Sequence, residues 1–429
     1  MSKKGSLRYL FPLLAGKAAR VATRLRGGGS AFPGYIVNRM APSFLPSIAN
    51  QFAHGVVFVL GSNGKTTTTH MISEVLRAHG LRVFTNPTGA NLPQGITSAL
   101  LAETDLLGRV ASDIAVLEVD EAFAAQLSEI LSPSTVVALN VQVDQLYRFF
   151  ETERVADMML DAAKLASTHV IVNSDDPYLS TFDDSMTGAD VSWFGASAAL
   201  VAASAHGLSN APDFRSDPSV PAVRVDNAEV SKLSGRIATI TLDGSPITVT
   251  LPAPGLHYAV DAAAAIAAVS RVLGELCDPT AIQAGFLAMV PAYGRGELIP
   301  LGADSVEFVM FKNAPSLQLN LDALVAPPEQ VILAIDEGTP DISWIYDVDF
   351  DALDHVDVVS GEKAFQLALR LEHENIPMGA ILPDLAAAVD VMRALPVTKA
   401  GRKTWILNYE LMMIGRKLIG HGDQEVARK

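Results

Sequence analysis

Cysteine is almost missing from this 429-residue chain: Cys277 stands alone. A single cysteine closes no internal disulfide and builds no CxxC metal cluster, a usage that suits a reducing, cytoplasmic setting. Long apolar runs are missing too, since no stretch reaches the roughly 20 residues needed to span a bilayer. The third gap is local. Between Met1 and Ser73 there is no carboxylate, while Lys3, Lys4, Arg8, Lys17, Arg20, Arg24, Arg26, Arg39 and Lys65 supply nine positive charges. The chain as a whole is acidic, with a net charge of −15, so the negative excess lies entirely beyond Ser73. That balance argues against a broad nucleic-acid-binding face. The length divides naturally into two or three domains, each large enough for a substantial core.

The basic opening carries Leu7, Leu10, Phe11, Leu14, Ala18, Val21 and Leu25, a spacing of three and four that lines one side of a helix. Pro12 marks its start or kinks it. Arg8 and Lys17 bound the apolar run too closely for a signal peptide. The favoured reading is a helix packed on the next domain; a helix lying on a membrane surface is the alternative. Gly27-Gly28-Gly29 and Pro33-Gly34 then separate this segment, 1–50, from the core.

The most telling pattern is Gly61-Ser62-Asn63-Gly64-Lys65-Thr66-Thr67, which follows the apolar run Val56 to Leu60 and opens a helix. A glycine turn at a helix start aims backbone N–H groups at one point, where the helix dipole adds partial positive charge and Lys65 a full one. That is a phosphate cradle. Thr66 places a hydroxyl where a nucleotide-bound Mg²⁺ needs one. The spacing is shorter than the ordinary phosphate loop, because Val59 stands where its first glycine would be. A GK[ST] triplet alone also fits a glycine turn that binds nothing; the strand before and the helix after favour phosphate.

Beyond the loop, strand-like runs at 82–85, 114–119, 135–140 and 169–173 alternate with helical stretches, the first at 67–79. Short apolar strands separated by helices predict a parallel sheet covered on both faces, with the ligand at the strands' carboxyl ends. Residues 178–254 read as an inserted β-rich part, with a hairpin turning at Asp243-Gly244. An alanine-rich helix, 259–273, precedes a break near Pro291. A second, smaller α/β domain follows, giving domains of 51–290 and 291–429.

Ile114-Ala-Val-Leu-Glu-Val-Asp-Glu121 is an apolar strand ending in carboxylates. Glu118 is the choice to hold Mg²⁺ opposite Thr66, ahead of Asp120 and Glu121. Such acids are also commonly solvated or cap helices. The loop Asn86 to Pro93 can present an amide, that of Asn91, to a γ-phosphate or its metal, though turn formation alone also accounts for its composition.

Together these residues resemble the Mur ligase superfamily, in the lipid II isoglutaminyl synthase branch. The segments carrying the resemblance are GGGSAFPG, GSNGKTTTTHMISEVLRAHG, TNPTGANLPQGI, LEVDEA, NVQVDQLYRF, VNSDDP, PAYGRGE, SWIYDVDF and VVSGEKA. The resemblance implies a central ATPase domain with a parallel sheet, followed by a Rossmann-like C-terminal domain peculiar to that branch. It implies ATP-dependent amidation of the D-glutamate α-carboxylate in the stem peptide of membrane-borne lipid II, through an acyl phosphate. It also implies Mg²⁺ as cofactor and a heterodimer with a separate glutamine amidotransferase of the GatD type, at the inner face of the plasma membrane. By the same resemblance Asn91 stands near the γ-phosphate and metal, and Arg295 contacts nucleotide. Asp341 supports the partner's cysteine–histidine pair.

The chain departs from the family in identifiable places. Two CxxC pairs that form a zinc ribbon in many relatives are missing, so zinc is not expected. Gln145 follows Asp144, and Leu160 rather than Lys164 stands near the place of a carbamylated lysine, so the resemblance does not extend to a second metal. Gly255-Leu-His-Tyr-Ala-Val-Asp-Ala262 puts Tyr258 and Asp261 where relatives carry adenine-recognising asparagines. Two other functions fit a Mur-like chain: a stand-alone amino-acid ligase, against which SWIYDVDF counts, and a non-catalytic scaffold, against which Lys65, Thr66 and Glu118 count.

Overall fold

The computed structural model describes residues 6–25, 31–86, 90–144, 151–182, 186, 188–211, 227–289, 294–336 and 342–421, with the side chains of Arg24 and Arg295 outside that description. The chain clusters into two compact units. The first comprises Met1–Val201, Asn210–Leu251 and His257–Met289; the second comprises Ala202–Ser209, Pro252–Leu256 and Val290–Lys429.

The first unit opens with helices α1 (Leu10–Leu25), α2 (Phe32–Met40) and α3 (Phe44–Ala49). Strand and helix then alternate through β1 (Val56–Leu60), α4 (Lys65–Ala78), β2 (Val83–Thr85), α5 (Pro93–Glu103), β3 (Ile114–Glu118), α6 (Glu121–Leu131), β4 (Thr135–Ala138), α7 (Thr152–Ala163) and β5 (His169–Asn173). After β6 (Asp190–Ala196) and α8 (Ala198–Ala203) come β7 (Ala228–Ser234), β8 (Ile237–Leu242) and β9 (Ser245–Thr250), then α9 (Leu256–Leu273) and α10 (Pro279–Ala288). The nine strands form one sheet in the order β2-β3-β1-β4-β5-β6-β7-β8-β9. Pairing is parallel from β2 to β7 and antiparallel across β7, β8 and β9. The hairpin expected at Asp243-Gly244 therefore forms, and β6 to β9 continue the sheet.

Every residue of β1, β3 and β4 is buried, which is why these strands read as unbroken apolar runs: a parallel strand covered on both faces has no polar side to show. Val56, Phe58 and Leu60 share one apolar cluster with Ala124, Leu127 and Leu131 of α6 and with Met159 of α7. The connection through α4 carries the chain from β1 past β3 to β2, whereas α6 carries it from β3 past β1 to β4. Right-handed crossovers in opposite directions put α4 and α6 on opposite faces, so the sheet opens a crevice at the carboxyl ends of β1 and β3. α9 is buried along nearly its whole length, its alanines letting the backbone run close to its neighbours.

The N-terminal helix packs by a different side from the one its apolar spacing suggests. Tyr9, Pro12, Leu13 and Gly16 are buried, Tyr9 meeting Phe44 edge to face at 5.5 Å. Gly16 lies so close that a Cβ there would stand 2.5 Å from Val37 and 2.9 Å from Leu101. Lys17 Nζ donates to the carbonyls of Leu101 and Thr104 at the end of α5, both at 2.7 Å, a cation set against a helix C-terminus. Close approach at a glycine decided the packed side; the Leu7, Phe11, Leu14, Val21 and Leu25 stripe faces solvent.

The second unit contains β10 (Arg295–Leu301), β11 (Asp304–Phe311), α11 (Ala314–Asp322), β12 (Val331–Ala334), β13 (Val356–Ser360), α12 (Ala364–His373), β14 (Met378–Leu382), α13 (Leu385–Ala394), β15 (Arg402–Asn408) and α14 (Tyr409–Leu418). Its sheet runs β10-β11-β15-β12-β13-β14, parallel except for the β10 edge. Leu333, Val359 and Ile406 pack one face with α11 and α12, while Ile332, Val358 and Trp405 pack the other with α13 and α14. This is the doubly wound arrangement again, with strands buried on both sides.

Candidate functional site

The glycine loop leaves β1 and turns into α4 at Gly64, which sits at φ +85° as the residue before the first helical turn. A side chain would be strained there and also blocked, because its Cβ would lie 2.5 Å from Asp261 Oδ1 on α9. No side chain caps α4 and its first turn holds no acid, so the helix presents its N-terminal amides at the sheet's carboxyl edge. The segment after β4 holds the loop in shape. Asn63 N donates to Asn140 Oδ1 at 2.9 Å, Ser62 N to Asn140 O at 3.0 Å, and Asn63 Nδ2 to Gln142 Oε1 at 2.6 Å. Ser62 Oγ exchanges hydrogen bonds with the backbone of Gln142. The side chains of Ser62 and Asn63 thus fix the loop, leaving the ligand to its backbone and to Lys65 and Thr66.

Lys65 is buried. Its Nζ donates to Gly61 O within the loop and to Glu121 Oε1 at 2.7 Å, and Gly61 N donates to that same carboxylate oxygen at 3.1 Å. Burial pushes the Lys65 ammonium toward neutrality, but the charges of Glu121, Glu118 and Asp144 overcome it, and the group is held above its ordinary pKa. A cation therefore persists in the crevice across the physiological range. Beside it, Thr66 Oγ1 donates to Glu118 Oε2 at 2.6 Å. These are two hard oxygen donors from the start of α4 and the end of β3, a pair of the kind that Mg²⁺ takes alongside phosphate oxygens.

The other two acids of the LEVDEA segment have separate work. Asp120 caps α6, its Oδ1 accepting from Ala122 N at 3.1 Å, and Glu121 is the partner of Lys65. Of the three candidates, Glu118 is the one that meets Thr66. Sequence reading missed a fourth contributor, Asn86. It is buried at the end of β2, where its Nδ2 donates to Glu118 O at 2.8 Å and to Ala90 O at 3.0 Å, and its Oδ1 accepts from Glu118 N at 3.0 Å. Asn86 clamps the backbone that carries Glu118. The signal was available, since an asparagine directly after an apolar strand has to satisfy its amide once the strand end is buried.

Thr67 is buried within the first turn of α4, and Asn91 is half-buried just before α5. Arg295 begins β10 in the second unit, its side chain outside the description. Asp341 and Gln145 also lie outside the described residues. Tyr258 and Asp261 are both buried on α9, and Asp261 packs against Gly64, so the acid that replaces an asparagine supports the loop itself.

Comparison with known proteins gives a match in each half of the chain. The Mur ligase middle domain model matches residues 59–269, and the MurT ligase C-terminal model matches residues 310–412. Over 99% of both chains the sequence is 25% identical to the MurT subunit of lipid II isoglutaminyl synthase (glutamine-hydrolyzing) from Streptococcus pneumoniae. The chain belongs to the MurT branch of the Mur ligase superfamily. The Staphylococcus aureus MurT subunit is 33% identical over 38% of this chain and 37% of that one. In fold, the MurT-branch chain is similar to MurF ligase from Thermotoga maritima in complex with ADP, with a TM-score of 0.65 at 18% identity, covering 90% of this chain and 82% of the other. It is similar also to MurF from Acinetobacter baumannii, with a TM-score of 0.67 at 18% identity over 88% and 80%. The loop, Thr66 and Glu118 fall inside the Mur ligase match, and β12 to β15 inside the MurT-specific one.

Proposed function

We propose that this chain is the synthase subunit of a glutamine-hydrolysing lipid II isoglutaminyl synthase. In that role it uses ATP to amidate the D-glutamate α-carboxylate of the lipid II stem peptide to D-isoglutamine during peptidoglycan synthesis. The observation that supports it most is the meeting of Lys65, Thr66 and Glu118 at one crevice, in a chain similar over its whole length to a MurT subunit.

A carboxylate is a poor electrophile, and phosphorylation gives it a leaving group that ammonia can displace. The transfer brings an anionic acceptor to an anionic nucleotide, so the protein's task is positive charge and alignment. Lys65 and the loop amides supply the charge at the β- and γ-phosphates. Thr66 Oγ1 and Glu118 would hold Mg²⁺, which would neutralise negative charge on the phosphates. Asn86 keeps Glu118 in place for this. Asn91 at the γ-phosphate and Arg295 on the nucleotide complete the set. Ammonia comes from a GatD-type glutamine amidotransferase in a heterodimer, with Asp341 supporting its cysteine–histidine pair. The protein works at the cytoplasmic surface of the membrane that holds lipid II.

The test is an assay of the purified chain with and without an amidotransferase partner. ATP and glutamine should be consumed together only when lipid II is present, with isoglutamine appearing in the stem peptide. Turnover with a free amino acid and no glutaminase subunit would instead identify a stand-alone ligase. Failure to bind Mg·ATP would identify a scaffold.

A further inference from the structure

The outer side of the N-terminal helix, together with the single turn Leu7–Tyr9 that leads into it, carries five large apolar side chains with little protein over them. Leu7 and Phe11 are each 76% exposed, Leu14 44%, Val21 60% and Leu25 84%, and Phe32 at the start of α2 adds another at 55%. Steps of four and three residues align those of the helix in a single stripe. The opposite side is the one that packs, through Tyr9, Leu13 and Gly16. The stripe is thus surplus to the core, and it gathers five large exposed apolar side chains along one line.

We propose that this stripe is a docking face for an anionic lipid bilayer, laid in the membrane surface with the apolar side chains inserted below the headgroups. The partner is selected by charge. From Met1 to Arg39 the sequence has no carboxylate and, besides Lys17, which is bonded to α5, the basic residues Lys3, Lys4, Arg8, Arg20, Arg24, Arg26 and Arg39, in a chain that is otherwise strongly acidic. An apolar stripe on a basic helix is the pattern of an interfacial helix, with electrostatic attraction to anionic headgroups added to apolar insertion. A second copy of this chain would bring an equally basic face and be repelled. The acidic remainder of the molecule turns the same attraction into orientation, since a negative surface is pushed from the membrane while the basic segment is drawn in. The mounting is firm enough to hold the body to the surface: Gly16 presses on Val37 and Leu101, and Lys17 is bonded to two carbonyls of α5. This inference rests on the lipid II reading only for its purpose, which is to bring the crevice to a substrate anchored in the same bilayer.

The full chain, alone and with an amidotransferase partner, should co-sediment with phosphatidylglycerol-containing vesicles, weakly with pure phosphatidylcholine vesicles, and less as salt rises. The double substitution Phe11→Glu and Leu25→Glu should lower vesicle affinity about ten-fold or more. Both side chains are exposed, so circular dichroism and amidation of detergent-solubilised lipid II should stay at the parent's level. The milder Phe11→Gln should lose part of the binding. Absence of parent binding to anionic vesicles, or a double variant that binds like the parent, would overturn the docking face. So would a concentration-dependent dimer of the parent that the same substitutions dissolve. The detergent assay reads the amidation proposal separately, so either can fail while the other stands.

Discussion

The two units solve the same folding problem and arrive at opposite chemistry. Each is a doubly wound, mostly parallel sheet with a crevice at its strands' carboxyl ends. In the first, the crevice holds a glycine loop, a helix N-terminus and the cation of Lys65. In the second, a cavity of about 500 Å³ at the ends of β12, β13 and β14 is lined by Asp336, Glu362 and Asp384 together with Leu385 and Leu411. Asp384 occupies the N-terminus of α13 by capping it, its Oδ1 accepting from Ala386 N at 3.1 Å, and Asn408 Nδ2 donates to Asp336 at 2.7 Å. A phosphate would meet amides and an ammonium in one crevice and carboxylates in the other. The fold provides a place; the residues after each strand decide what it accepts.

The comparison breaks most visibly at Lys65. Lys65→Ala should reduce ATP-dependent amidation on the order of 10³-fold, the scale seen when one preorganised charge is removed from a phosphoryl or oxyanion site. A Tm close to the parent's would show that the loss is chemical. Next in size is Gly64→Ala, which forces a side chain into a left-handed backbone against Asp261. Strain of about 1–3 kcal/mol should appear as a lowered Tm, together with weakened Mg·ATP binding by calorimetry.

Glu121→Gln is subtler and has a definite sign. In the parent, Lys65 titrates above its ordinary value, so its cation is fully present below that value and is lost only as pH rises through the raised one. Removing Glu121 takes away the largest charge opposing burial and leaves only Glu118 and Asp144 to offset it, so the pKa moves down. Mg·ATP affinity, flat from neutral to mildly alkaline pH in the parent, should then fall as pH rises in the variant. An equally flat profile would show that Glu121 does not hold the Lys65 proton. The smallest effect sharpens the contrast from the other side. Asp384→Ala should cost about 1 kcal/mol of stability as a lost helix cap, leaving Mg·ATP affinity unchanged.

Much of the first crevice was legible because its parts are local. Gly61 to Thr66 read as a phosphate cradle from a glycine turn and one charge, and Val56 to Leu60 announce a strand buried on both faces. Glu118, the preferred acid of its run, is the one that meets Thr66. What stayed hidden depends on contacts between distant segments. That Glu121 answers Lys65 follows from α6 starting beneath the loop, 56 residues away in sequence. Asn86 reaches Glu118 across 32 residues. The N-terminal stripe was visible as spacing, but spacing names a side without saying what covers it. Gly16, a residue with no side chain, determined which side packs.

The central claim is that a phosphoryl group gripped at Gly61 to Thr66 passes to a peptide carboxylate. Lipid II carrying ¹⁸O in the D-glutamate α-carboxylate, turned over in unlabelled water with ATP, glutamine and the amidotransferase partner, tests it directly. Released phosphate containing one ¹⁸O atom for each amide formed is the expected result, because ammonia displaces phosphate from the acyl phosphate and the phosphate departs with one carboxylate oxygen. Phosphate without the label, alongside normal amide formation, would contradict it.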